Sequence, residues 1–243
     1  MSENEIVKHL EVAYKNAKNP HTPWLVKLRE ILIEVLIIVF AVTISIWFHN
    51  WSDSLHEQKE EREFLQGLRQ DIQTDMDNAR TGRDFYKNAV VQFDYFIRVG
   101  KGMPLDQDSL IAYGGAFFNT TDLDPNVSRY EGLKGSGKFG IIRNKALLDE
   151  VISLHENQIK RVENLNRYYY EYVMNVSSFV RQHAILNQAG TAIEDGEGML
   201  RLSEMRFLVA AGKSFITGNV NRSYDTCIAT CTDLTKKIDE ELQ

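Results

Sequence analysis

The chain has 243 residues, 43% hydrophobic and 26% charged, with 28 Lys and Arg against 34 Asp and Glu for a formal net charge of −6. That is enough chain for one or two domains with a real core, and its acidic balance excludes a nucleic-acid binder, which needs a basic footprint to meet phosphate. Two cysteines, Cys227 and Cys231, are too few for a disulfide-built secreted scaffold.

Four prolines and a helix-period hydrophobic pattern point to an all-α protein. Residues 1–23 read as a short cytoplasmic amphipathic helix. Ser2 and Glu5 form a capping box, Ile6, Leu10, Ala13 and Ala17 share one face, and Pro20 and Pro23 end it.

Residues 24–51 read as a transmembrane signal anchor. The apolar run from 31 to 48 is about 18 residues, roughly 27 Å of helix, close to the hydrocarbon thickness of a bilayer. Trp24 precedes it, and Trp47, Asn50 and Trp51 close it, as interfacial anchors do. A buried soluble helix and a cleaved signal peptide are the alternatives. The apolar core exceeds an h-region, about 30 residues precede it, and no Ala-x-Ala site follows, which favours an uncleaved anchor. Lys8, Lys15, Lys18, Lys27 and Arg29 flank it on one side. Lys59 and Arg62, diluted by Asp53, Glu57, Glu60, Glu61 and Glu63, flank it on the other. The positive-inside bias then puts the N-terminus in the cytoplasm and the bulk of the chain outside.

Glu34 interrupts the run, and an ionisable group inside a span is a functional hypothesis by default. Lys27, Glu30 and Glu34 fall on one stripe, with Glu34 only about 6 Å beyond Glu30 along the axis. Three roles follow for Glu34: reaching the interface or pairing with Lys27, contact with a partner helix or its own copies, and proton relay in an ion-driven machine.

Residues 52–64 read as a charged stalk and 65–243 as an exterior antiparallel bundle of about four helices, or an elongated helical hairpin with two helices packed on it. The first carries a coiled-coil-like seam, Leu65, Leu68, Ile72, Met76, Ala79, Tyr86, Val90, Phe93 and Ile97, with Arg83 in its polar slot. Gly100, Gly102 and Pro104 stop it. A short helix is expected over 107–118, then an irregular connection over 119–144, the best placed functional loop. Asn144 reads as the N-cap of a second long helix to about 187, with Leu147, Val151, Leu154, Gln158, Val162, Leu165, Tyr169, Tyr172, Val176 and Phe179 on its seam. The two seams predict antiparallel pairing. A polar loop over 190–198 precedes a third helix over 199–217 bearing Leu202, Met205, Phe207, Leu208 and Phe215. Asn219 or Asn221 would cap a fourth, lined by Tyr224, Cys227, Cys231, Leu234, Ile238 and Leu242.

Other motifs read as structure. The run from Gly132 to Lys138 matches G-x4-G-K, but Phe139 stands where the magnesium-binding hydroxyl belongs. Asp122, Asp124, Asn126 and Ser128 alternate like a calcium loop, but Val127 and Leu133 occupy the glycine and bidentate-Glu places, leaving helix capping by Asp124 or Ser128. Cys227 and Cys231, one helical turn apart, read as buried small apolar residues. In the dense run of Tyr168, Tyr169, Tyr170 and Tyr172, Tyr168 and Tyr170 point off the seam as a possible contact surface. No catalytic, cofactor-binding or metal-ligating set is recognised, and the six histidines have no partners at metal spacing.

Two blocks carry a likeness to known proteins: Glu34, Asn50 and Trp51 followed by Leu65, Leu68 and Asp71, and then Tyr130, Leu133, Ser136, Gly137, Ile142, Asn144 and Leu147. Together they resemble a bacterial family of short single-pass membrane proteins catalogued as domain of unknown function 6090. The likeness spans most of residues 24–160. The chain departs from that pattern at His49, and at Leu154 and His155. The resemblance implies an anchor in a bacterial inner membrane, a periplasmic helical domain and no assigned activity. Tyr130 and Gly137 from its second block join Tyr168 and Tyr170 as candidate contact residues.

The functional expectation is a non-enzymatic, membrane-anchored protein that works by assembling, as a homo-oligomer or with another membrane protein, and whose other neighbour is the lipid bilayer. A ligand sensor signalling through a partner, and an accessory subunit of an ion-driven or transport complex using Glu34, are the other readings.

Overall fold

The computed structural model describes residues 24–188 and 193–243, apart from the side chains of 26, 27 and 30. The helix expected within residues 1–23, its capping box, any pairing of Glu34 with Lys27 or Glu30, and part of the loop expected over 190–198 lie outside the described residues. The chain is all-α: of the described residues 85% are helical and none lies in a strand. It divides into two compact units, Met1–Glu60 and Glu61–Gln243.

Helix α1 spans Trp24–Gly100. Its part in the first unit includes an 18-residue window of mean hydropathy 2.7, none of it buried, long and apolar enough to cross a membrane. The Thr43 and Ser45 hydroxyls donate to the carbonyls of Val39 (2.7 Å) and Ala41 (2.9 Å), so neither needs water.

In the second unit, α1 is a strict heptad helix. Leu65, Ile72, Ala79, Tyr86, Phe93 and Gly100 recur every seventh residue, as do Leu68, Asp75, Gly82, Ala89 and Phe96 between them, and all eleven are buried. The expected seam is correct as far as Tyr86. Beyond it the expected Phe93 is buried, Val90 and Ile97 are only half-buried, and Ala89, Tyr95, Phe96 and Val99 are buried besides. Arg83 is not the polar slot in the seam. The buried position there is Gly82, which must lack a side chain, because a Cβ would stand 2.7 Å from the Tyr224 hydroxyl and overlap its ring.

Residues 101–144 return along α1 as a strap. It contains α2 (Gln107–Tyr113), which runs into a 3-10 turn Gly114–Phe117, then α3 (Ser128–Ser136) and a 3-10 turn Phe139–Ile141. Its attachments descend α1 in order. The Tyr95 hydroxyl accepts from Asp106 N (2.9 Å), Asn78 donates to Asp124 O (3.0 Å), Arg129 pairs with Asp71 (2.8 Å), and Glu61 accepts from Arg143 N (2.7 Å). Gly137, at φ +67°, is the left-handed cap of α3. Gly132 and Gly135 therefore lie in a helix rather than a phosphate-cradling loop. Val127, with no side-chain bond, stands at the N-cap of α3, so neither Asp124 nor Ser128 caps it.

Asn144 caps the next helix as expected, accepting from Leu147 N at 3.2 Å. Helices α4 (Lys145–Ser153) and α5 (Lys160–His183) join without a break through a π-helical turn, Leu154–Ile159. The wide turn inserts one residue into the repeat. The core therefore takes Ile159, Asn166 and Val173 rather than the expected Gln158, Leu165 and Tyr172, which are half-buried.

This helical run lies parallel to α1, not antiparallel. Arg143 meets Glu61 at one end, Tyr86 meets Tyr169 in the middle (ring centroids 5.0 Å), and Phe93 meets Tyr172 further on (6.3 Å). The cause is the strap. A short loop would reverse the chain, whereas this connection covers the length of α1 before the second run begins.

After α6 (Gly196–Arg201), the expected third and fourth helices form one continuous run: α7 (Ser203–Phe215), a π-helical turn Ile216–Val220, and α8 (Asn221–Glu241). No cap at Asn219 or Asn221 separates them. Leu202 and Phe207 face solvent, Phe207 at 70% exposure, while Met205, Val209, Ile216 and Val220 fill the core. Tyr224, Cys227, Cys231, Leu234 and Ile238 are buried as expected. This run is antiparallel to α1: Asp94 pairs with Lys213 (2.5 Å), Met76 meets Thr232 (3.2 Å), and Arg69 pairs with Asp239 (Nη2–Oδ2 3.0 Å). It is antiparallel to α4–α5 as well, through Arg161 with Ser223 (3.1 Å) and Lys237 with Glu150 (2.7 Å).

Candidate functional site

In the first unit the large apolar side chains from 31 to 48 are all more than a third exposed, and they point in every direction around α1. Such a helix has no protein core of its own to face. Glu34, among them, is half-exposed. Trp24 is 70% exposed. At the far end the aromatic rings gather: Trp47 stacks on Trp51 (centroids 6.2 Å, planes 5° apart), and Phe48 meets both edge-on. Asn50, between them, is exposed. His49 lies 3.4 Å from Asp53, and His56 lies 3.2 Å from Glu60. The apolar surface thus ends where polar pairs and an aromatic collar begin.

In the second unit the expected contact tyrosines do not form one patch. Tyr168 and Tyr170 are each about half exposed, but they flank the buried Tyr169 and look to different sides of α5. Arg167 lies over the Tyr168 ring (5.7 Å). Gly137 is exposed. Tyr130 is buried and presents no outer surface. It stacks on His155 (centroids 4.1 Å) and donates to Glu156 (3.0 Å).

Glu156 also accepts from Lys134 (2.6 Å) and from Lys160. These bonds, the Lys134 one foremost, hold its carboxyl down at about 2. Burial and the bond to Glu156 push Tyr130 up to about 12. Burial lowers the His155 pKa against the opposing bond to Val151 O, and its Nε2 has no partner. This cluster rivets the strap to the π-helical turn.

Sequence reasoning missed three other polar features. Asp75 is buried on the heptad seam, where burial pushes its carboxyl above the usual range while two bonds from Asn126 oppose the shift. Asn166 sits in the core, accepting from the Tyr86 hydroxyl (2.9 Å) and donating to the Tyr224 hydroxyl (2.9 Å). The third is an open groove of about 850 Å³ at the C-terminal end of α1, lined among others by Arg98, Lys101, Arg206 and Lys213. Only its position in space unites these cations, since the two halves of the groove lie far apart in sequence.

Cys227 and Cys231 are free and buried. Among the described residues no three His, Cys, Asp or Glu are grouped to hold a metal ion. The orphaned polar atoms, Asp75 Oδ2, His155 Nε2, Tyr169 Oη and Asn221 Oδ1, come from separate elements and do not line the α1 groove. Comparison with protein-family models, with curated proteins and with solved structures returns no match to this chain.

Proposed function

We propose that this chain is a single-pass membrane protein that works by assembly, with residues 31–48 of α1 in the bilayer and the helical second unit outside it. The observation that carries the reading is the all-round exposed apolar surface of α1, broken by one carboxylate at Glu34 and closed by the Trp47–Phe48–Trp51 collar. Lipid is the solvent that such a surface fits. The surplus of Lys and Arg before the span orients the N-terminus to the cytoplasm and the bundle to the periplasm of a bacterial inner membrane, in keeping with the family resemblance.

Assembly follows from Glu34. A carboxylate within a span is costly unless it meets a partner group or water, and a second helix, from another copy or from another membrane protein, supplies one. No catalytic role is assigned to any residue.

The test is native mass spectrometry of the protein gently extracted from its own membranes, with Glu34→Gln alongside. A multiple of the chain, or a complex with a many-spanning protein, supports the proposal. The second result identifies an accessory subunit. A monomer from the wild type, or an assembly indifferent to Glu34→Gln, contradicts the assigned role of Glu34.

A further inference from the structure

The groove at the C-terminal end of α1 lies between that end and α7. Arg98 and Lys101 come from one side, Arg206 and Lys213 from the other, with Ser203, Ser214 and Thr217 along it. Asp94 is the one carboxylate in its lining, and Lys213 already occupies it at 2.5 Å. Arg98, Lys101 and Arg206 have no ion-pair partner among the described residues. Elsewhere in the same unit, Arg69, Arg129, Lys134 and Lys237 each meet a carboxylate. Three cations without an ion-pair partner thus line one groove in a chain of net charge −6.

Helix capping does not account for them. The last carbonyls of α1 are already satisfied by backbone: Lys101 N and Met103 N donate to Arg98 O (both 3.1 Å), and Gly102 N donates to Val99 O (3.0 Å). The cationic heads are therefore left over. The approach is also close by construction. A Cβ on Gly100 would stand 3.1 Å from Arg206 Cγ and 3.1 Å from Leu200 O, so glycine lets the Arg206 stem lie against the end of α1. The rest of the lining is apolar: Phe96, Ile97, Leu200, Val209, Ala210 and the exposed Phe207. A cavity of this volume suits a small organic ligand.

We infer that this groove binds an anionic amphiphile, a phosphate ester or comparable oxyanion head held by Arg98, Lys101 and Arg206, with an apolar body lying along Phe207 and Ile97. Guanidinium groups grip such heads with paired, charge-assisted hydrogen bonds. The inference stands apart from the assembly proposal and holds whether or not Glu34 contacts a partner.

The test is calorimetric titration of the full chain in phosphatidylcholine nanodiscs with hexyl phosphate, inorganic phosphate and hexyl glucoside. Hexyl phosphate is expected to bind most tightly, inorganic phosphate more weakly, and hexyl glucoside not at all. Arg98→Gln and Arg206→Gln should each weaken hexyl phosphate by about tenfold, as loss of a charge-assisted bond does. Lys145→Gln, an exposed cation outside the groove, should leave it unchanged. Displacement of hexyl phosphate by phosphatidate vesicles would assign the natural head group to a lipid, and failure to displace it to a soluble ester. No binding of hexyl phosphate, or binding unchanged in the Arg98→Gln/Arg206→Gln double variant, overturns the inference. Equal binding of the glucoside overturns the anion assignment, and equal binding of inorganic phosphate overturns the amphiphile.

Discussion

The two halves of α1 are both rich in apolar residues, yet they solve opposite problems. From 31 to 48 the apolar side chains surround the helix and none of the larger ones is buried. From 65 to 100 the buried side chains gather on one stripe built on a seven-residue repeat whose every position is buried within the second unit. Apolar content alone does not distinguish the halves. Angular distribution does: an all-round surface calls for an apolar solvent, and a stripe calls for a protein partner.

Substitutions aimed at one half or the other test this contrast. The largest effect is expected from Phe40→Arg. A guanidinium near the middle of the proposed span costs about 3 kcal/mol on insertion scales, so the variant should shift from the membrane fraction to the soluble or degraded fraction. Gly82→Leu is the counterpart in the second half. It forces a side chain into the space of the Tyr224 ring and should destabilise the second unit by about 2–3 kcal/mol of overpacking, read from chemical denaturation. Its membrane insertion should not change.

Asn166→Leu strips the Tyr86 and Tyr224 hydroxyls of their partner and should cost about 2 kcal/mol. Glu156→Gln changes a pH profile instead. The folded carboxyl titrates at about 2 against an ordinary 4.5, so its contribution is present above 4.5 and is lost as pH falls toward 2. The wild type should lose stability across that window in an acid titration followed by circular dichroism, and the variant should lose less. Phe207→Ser should do least, within about 0.5 kcal/mol, because the ring faces solvent.

The all-α class, the long apolar N-terminal helix with its tryptophans, the Asn144 cap and the helix end at Gly100 are all legible in the sequence, because each rests on local residue chemistry. The rest depended on facts that a hydrophobicity pattern does not carry. Asp75, Gly82 and Asn166 occupy core positions but are polar or lack a side chain, so the pattern passes over them. The π-helical turns at Leu154–Ile159 and Ile216–Val220 each shift the repeat, displacing Gln158, Leu165 and Tyr172 from the expected seam and fusing two expected helices into one. The parallel course of the second run follows from how residues 101–144 attach along α1, a set of long-range contacts. The cationic groove is invisible for the same reason, since Arg98 and Arg206 come to line one groove only in the folded chain.

The central claim is that the two units face different solvents, lipid for one and the aqueous exterior for the other. The most direct measurement is reaction with a membrane-impermeant maleimide in intact spheroplasts, using Phe40→Cys and Phe207→Cys in separate proteins. Cys227 and Cys231, at 1% and 0% exposure, supply little background. The account predicts that the thiol introduced at 207 reacts at once, while the one at 40 stays silent until detergent is added. A reactive thiol at 40 in intact spheroplasts, or one at 207 that reacts only after lysis, would contradict it.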